Sequence, residues 1–195
     1  MAYGKMFFIR HAPTKANLAG DIVKDYDSYD IMDFDAEKWK NEIGIHIPKN
    51  FKLFVSPAKR CQQTAEKLFP GKEYKIINDL SEFDISALGD LKFWEISEEQ
   101  FNSIVGLTKY QAFCKIRSMA FQVSRDVCYP AGENAVLIGH GFYGRLMKDI
   151  YEGNTLSSEP TVLEILNSKP FSFRNLDMME FKKAEVNKIY RFEKE

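Results

Sequence analysis

Apolar residues along this chain occur either in short unbroken runs or in wider stripes at helical spacing, and the two textures alternate. Phe7-Phe8-Ile9 combines two aromatic residues with a β-branched one and reads as a buried strand that Pro13 and Thr14 bring to an end. Thr14 then serves as N-cap for a helix over Thr14 to Ala19. Lys52-Leu53-Phe54-Val55 is a second buried strand. Ser56 follows as a predicted N-cap and Pro57 as a first helical residue, and Cys61, Ala65 and Leu68 give an i, i+4, i+7 stripe. Tyr74-Lys75-Ile76-Ile77 is a third strand, closing in the turn from Asn78 to Asp84.

Farther along, Ser97 before Glu98 and Glu99 has the pattern of a helix start, and Thr108 caps a longer helix. On that helix Ala112, Ile116, Met119 or Ala120, and Val123 recur on one face, and Phe113 and Phe121 read as core. Ala135-Val136-Leu137-Ile138 is a fourth buried strand, ending at Gly139-His140-Gly141. Tyr143, Leu146, Met147 and Ile150 then predict a helix from Phe142 to Tyr151. The stretch from Gly153 to Ser172 is loop-like, with Pro160, Pro170 and a short helix over Thr161 to Leu166. Met178 to Lys183 and Lys188 to Phe192 read as two last strands around Glu185-Val186-Asn187. Strands alternating with helices predict an α/β fold, a three-layer α/β/α sandwich with a mainly parallel central sheet. With 195 residues and no repeat or low-complexity linker, the chain reads as a single domain over 1–195.

Charge narrows the choice of partners. Lys plus Arg is 27 and Asp plus Glu is 28, a balance that offers no extended field for nucleic acid or an anionic membrane surface. The acidic segment of Asp21, Asp25, Asp27, Asp30, Asp33, Asp35 and Glu37 lacks the ligand offsets and sixth-position Gly of a calcium loop, so it reads as a solvated loop and helix face. No run reaches transmembrane length, and Lys5 leads directly into the first strand with no signal-peptide core. Cys61, Cys114 and Cys128 lack the close spacing of a zinc site or redox pair. They read as reduced core thiols of a cytoplasmic protein.

Candidate chemistry gathers where strands end. In an open α/β sheet ligands bind outside the carboxyl ends of the strands. Arg10 and His11 stand at the first such end, and Arg60 lies in the first turn of the helix after the second, where unpaired N–H groups already favour an anion. The third exit carries Glu82 among other acids, any of which could donate a proton, and the fourth carries His140 between two glycines. His46, in Gly44-Ile45-His46-Ile47, has no comparable setting and reads as structural. A guanidinium suits phosphate and a neutral imidazole can act as a nucleophile, so the set points to phosphoryl chemistry.

The ordered set resembles the histidine phosphatase superfamily, which includes the cofactor-dependent phosphoglycerate mutases. Arg10-His11-Ala12-Pro13-Thr14 with Asn17 matches the family's Arg-His-Gly-x-Thr-x-x-Asn, Ser56-Pro57-Ala58-Lys59-Arg60 with Thr64-Ala65 its second arginine motif, and Gly139-His140-Gly141 its late histidine. Two departures stand out. Ala12 replaces the family's glycine, adding a methyl group near the expected phosphate. After Leu80-Ser81-Glu82 many family phosphatases continue Gly-x-aromatic-Glu-Gly, where this chain has Phe83-Asp84-Ile85-Ser86-Ala87-Leu88-Gly89. The acid-phosphatase branch places its proton donor directly after the late histidine, and Gly141 occupies that position here. The donor is therefore expected from the loop that follows the third strand.

The resemblance implies a phosphatase that hydrolyses a phosphomonoester through a phosphohistidine. In that scheme His11, kept neutral by neighbouring positive charge, is the nucleophile, and Glu82 is the proton donor and later the base. Arg10, Asn17, Arg60 and His140 bind the phosphoryl oxygens. Neither a metal nor another cofactor is required. The substrate would be a small phosphorylated molecule or a phosphoprotein. Two alternatives remain: a phosphotransferase of the mutase kind, whose insertion after the second motif this chain lacks room for, and a non-catalytic phosphate-binding or interaction protein.

Overall fold

The computed structural model describes residues 3–15, 17, 30–83, 95–128, 132–151, 163, 173–182 and 185–192. In it the buried runs pair side by side. The strands are β1 (Met6–Arg10), β2 (Phe51–Val55), β3 (Tyr74–Ile76), β4 (Asn134–Gly139), β5 (Met178–Lys182) and β6 (Glu185–Tyr190). They form one sheet in the order β3-β2-β4-β1-β5-β6. The first four are mutually parallel, while β5 runs antiparallel to both β1 and β6. Only β5 runs against the rest, so the sheet is mainly parallel.

Because side chains alternate across a strand, each buried strand feeds two apolar layers. Met6 and Phe8 of β1 and Leu137 of β4 face a layer with Phe113, Ile116 and Ala120 of α4 (Lys109–Val123) and Tyr143 and Met147 of α5 (Gly141–Tyr151). Phe7 and Ile9 with Val136 and Ile138 face the opposite layer. There they meet Trp39 of α1 (Ala36–Glu42) and Cys61, Ala65 and Leu68 of α2 (Lys59–Leu68). Each large side chain buried this fully contributes about 1.5–3 kcal/mol. The sheet therefore lies between two helical layers, the sandwich that the sequence predicts.

Capping chemistry sets several helix starts. Ser97 opens α3 (Glu98–Val105) and Thr108 opens α4, each through a capping box closed by Gln100 and Gln111 respectively. Asp35 caps α1 by accepting from Lys38 N at 2.8 Å. Part of the acidic segment is thus structural: Asp30 pairs with Lys59 at 2.9 Å and Asp33 with Lys67, both lysines on α2. Asp21, Asp25 and Asp27 lie outside the described residues, as do half of the predicted helix at Thr14 to Ala19 and most of that at Thr161 to Leu166. Among the described residues no helix is long and apolar enough to cross a membrane.

Three local expectations are corrected. α2 begins at Lys59 and not at Pro57, and its N-cap is Ala58 without a side-chain bond, because the Ser56 hydroxyl is turned towards His140. Glu185, Val186 and Asn187 belong to β6 and not to the connection, since Lys182 pairs with Glu185 and Phe181 with Val186. A ladder partner, invisible in local sequence, decides that boundary. Phe121 is 43% exposed, with the Arg117 guanidinium 5.5 Å from its ring. The inward face of α4 is already filled by Met119, Ala120 and Val123.

Candidate active site

Strand register brings the candidate residues together. Arg10 sits opposite Gly139 in the parallel β1–β4 pair, so the chains leave the sheet side by side, and His11 N donates to Gly139 O at 2.9 Å. The imidazoles of His11 and His140 consequently lie 5.3 Å apart, ring centre to ring centre. On the other flank of β4, Val55 pairs with Ile138 and Ser56 N donates to Ile138 O at 3.0 Å, which aims the first turn of α2 at the same point. Glu82 arrives from the exit of β3, after a 3-10 turn at Asn78–Leu80. Four strand ends meet at one place.

His11 is buried, and its Nδ1 lies 2.6 Å from the carbonyl oxygen of Ala12. A carbonyl can only accept, so the proton must be on Nδ1 and the lone pair on Nε2. Arg60 Nε donates to that lone pair at 3.3 Å. Burial, then the charges of His140, Arg10 and Arg60, hold the His11 pKa well below its ordinary value. His11 is thus a neutral imidazole with a defined basic nitrogen.

Arg60 Nη2 donates to Glu82 Oε2 at 2.7 Å, and His140 Nδ1 lies 3.2 Å from the same oxygen. Arg60 Nη2 and His140 Nδ1 are themselves 3.0 Å apart. A guanidinium can only donate, so Nδ1 accepts this bond when the ring is neutral and, when the ring is charged, turns its N–H to the Glu82 oxygen that both cations share. Burial raises the Glu82 pKa, but His140 and Arg60 outweigh it and hold the carboxyl well below the usual range. For His140 burial works downward, yet the Cys61 sulfur and then the Glu82 carboxylate push it up to about 9. Glu82 is ionised and His140 charged around neutral pH.

Arg10 donates from Nη1 to Phe173 O at 2.6 Å, while its buried Nε has no hydrogen-bond partner among the described residues. Its guanidinium lies flat on Gly141: a Cβ there would come within 3.0 Å of Nε and 3.1 Å of Cζ. Asn17 Oδ1 accepts from Thr14 N at 3.1 Å, from Thr14 Oγ1 at 3.2 Å and from Asn175 Nδ2 at 3.3 Å. Asn175 Nδ2 also donates to His11 O at 2.9 Å, so Asn17 joins the site through a residue far away in sequence. All six predicted residues, Arg10, His11, Asn17, Arg60, Glu82 and His140, belong to this region. His46 does not: it stacks on Tyr190 at 4.3 Å.

The methyl of Ala12 is fully buried in the second apolar layer, and Ala12 N donates to Thr64 Oγ1 at 2.9 Å. The expected intrusion towards phosphate is replaced by packing against the core. Asp84 and the divergent stretch after Phe83 lie outside the described residues. Sequence misses the role of two site residues and the presence of two more. Ser56 reads as a cap, Thr64 has only its place after Arg60, and Phe173 and Asn175 give no local signal. Among the described residues no group of three or more His, Cys, Asp or Glu side chains is arranged to hold a metal.

Comparison with known proteins bears on the family and the fold. A family model described as the histidine phosphatase superfamily (branch 1) matches residues 6–113. Among solved structures, the chain is similar to a phosphoserine phosphatase from Entamoeba histolytica in complex with 3-phosphoglyceric acid. The identity is 20% and the TM-score 0.66, over 97% of this chain and 98% of that one. A histidine-to-alanine variant of phosphoserine phosphatase from the same organism, in complex with phosphoserine, is 17% identical with a TM-score of 0.68 over 96% of each chain. A phosphoglycerate mutase from Thermus thermophilus is 13% identical with a TM-score of 0.63, over 97% of this chain and 99% of that one. No curated protein sequence matches the chain.

Proposed function

The chain belongs to the histidine phosphatase superfamily, and from its site we propose that it hydrolyses a phosphomonoester through a phosphohistidine formed on His11. The observation that carries this reading is the His11 tautomer. With Nδ1–H committed to Ala12 O, Nε2 keeps its lone pair among Arg10, Arg60 and His140, where a phosphoryl group would be held. Nε2 attacks phosphorus, the P–O bond to the alcohol breaks, and the alkoxide takes a proton from Glu82. Water then attacks the phosphohistidine, giving its proton to the Glu82 carboxylate, and inorganic phosphate leaves.

Arg10 Nε, Arg60, His140 and the amide of Asn17 bind the equatorial oxygens as charge shifts between attacking and leaving atoms. Glu82 begins as a carboxylate on Arg60 and His140, the donors that an incoming phosphoryl group needs. Displaced from those cations and set beside a dianion, its pKa rises and it takes up the proton that it later donates. The charge a metal would otherwise neutralise is carried by guanidinium groups. Phosphoserine and 3-phosphoglycerate, bound by the Entamoeba histolytica enzyme, are the first small substrates to assay.

The test is release of inorganic phosphate from these compounds and from p-nitrophenyl phosphate. Activity should survive EDTA and be inhibited by vanadate, which takes the five-coordinate shape of the transition state. Phosphoryl return to another oxygen of phosphoglycerate without free phosphate would make the protein a mutase. Tight phosphate binding without turnover of any ester would make it a binding protein.

A further inference from the structure

We infer that Ser56 is a positioning residue for His140, its hydroxyl bracing the Nε2 side of the ring so that Nδ1 faces the phosphoryl oxygens; this rests on the catalytic reading above. Ser56 and His140 are both fully buried, and Ser56 Oγ lies 2.9 Å from His140 Nε2. The brace is rigid. Ser56 N is tied to Ile138 O in the neighbouring strand at 3.0 Å, and Ser56 Oγ accepts from Ala58 N at 3.3 Å. The Nδ1 side is different, because its partners Arg60 and Glu82 are the groups that must rearrange when an anion enters. Only the Nε2 side keeps the same partner throughout the reaction.

The chemical consequence follows from counting protons. A charged imidazole carries N–H on both nitrogens, and each needs an acceptor once the ring is buried. Phosphoryl oxygen or Glu82 serves Nδ1–H, and Ser56 Oγ serves Nε2–H. Among the described residues the other group recorded at Nε2 is the Cys61 sulfur at 3.7 Å, a weak acceptor. The charged and ionisable groups facing the ring are Arg60 and Cys61 of α2, His11 after β1, Glu82 after β3 and Tyr143 of α5. Removing the hydroxyl leaves Nε2–H poorly satisfied and favours the neutral ring. His140 would then lose its charge at lower pH than the value near 9 that the intact site supports.

The experiment compares wild type, Ser56→Ala and Ser56→Cys, alone and combined with His140→Ala. kcat/KM on p-nitrophenyl phosphate is measured across pH, and the His140 ring is titrated by ¹⁵N NMR. Ser56→Ala should lower kcat/KM roughly 10–100-fold and move its basic limb down by about one pH unit, a tenfold change in the ring's proton affinity. Ser56→Cys, which keeps the side-chain volume, should move the limb in the same direction and serves if the alanine variant does not fold. In the His140→Ala background either substitution should change kcat/KM less than about twofold, because the two residues act as one unit. An unmoved limb, or an undiminished loss in that background, overturns the assignment. The NMR titration needs no turnover. If wild type proves inactive while the His140 titration still shifts in the Ser56 variants, the catalytic reading fails and the brace stands. An unshifted titration removes the brace whatever the activity.

Discussion

At the scale of single residues, the site turns on where protons sit, and Glu82 is where that has a measurable consequence. Its carboxylate lies 2.7 Å from Arg60 Nη2, so the proposed proton donor would also compete with substrate for that cation. General acid catalysis contributes roughly 10²–10⁴ in rate, and only where the leaving oxygen needs a proton. Glu82→Gln should lose about that factor on an alkyl phosphate and much less on p-nitrophenyl phosphate, whose phenolate leaves unaided. Inorganic phosphate should bind Glu82→Gln more tightly than wild type, since an uncharged amide is easier to displace from Arg60 and His140. Equal losses on both esters, with unchanged phosphate affinity, would make Glu82 a structural counter-ion. The residue types in this cluster are legible in sequence because Arg10, His11 and His140 stand directly at strand exits and Arg60 and Glu82 in the turns just beyond them. Their protonation is not, because the His11 tautomer depends on a carbonyl orientation and the Glu82 charge on neighbours more than 20 positions distant.

At the scale of elements, β1 and β4 are legible nearly to the residue because burial on both faces writes itself as unbroken apolar runs such as Phe7-Phe8-Ile9. Capping boxes at Ser97 and Thr108 are equally local signals. Ser56 misleads because serine before proline looks the same whether its hydroxyl caps a helix or braces a histidine in another strand's exit. The start of α5 carries a constraint that sequence shows only as glycine beside histidine. Gly141 has no Cβ, and the Arg10 guanidinium occupies that space. Gly141→Ala should push Arg10 off its place, raising KM for a phosphomonoester by roughly tenfold while the chain still folds, since alanine is the better helix former by about 1 kcal/mol. Thermal melting and steady-state kinetics check both halves. An unchanged KM would mean that Arg10 does not hold the substrate from its present position.

At the scale of the whole molecule, the order β3-β2-β4-β1-β5-β6 brings Arg10-His11, Ser56-Arg60, Glu82 and His140 to one edge of the sheet from positions as much as 130 residues apart. The returning segment before β5 completes the assembly: Phe173 O holds Arg10, and Asn175 joins His11 to Asn17. Buried Asp177 fastens that segment by accepting from Arg174 N at 2.8 Å and Phe192 N at 3.0 Å. None of this is legible locally, since hydrogen bonds spanning 163 and 164 positions leave no mark on either stretch. On the proposed function, this assembly makes His11 Nε2 a nucleophile towards phosphorus. Rapid quenching of wild type with a ³²P-labelled phosphomonoester, followed by peptide mapping, tests it most directly. Acid-labile, base-stable label is expected on His11, approaching one per chain when hydrolysis of the intermediate is slow, and none in His11→Ala. Label on any other residue, or hydrolysis that proceeds in His11→Ala at the wild-type rate, would contradict it.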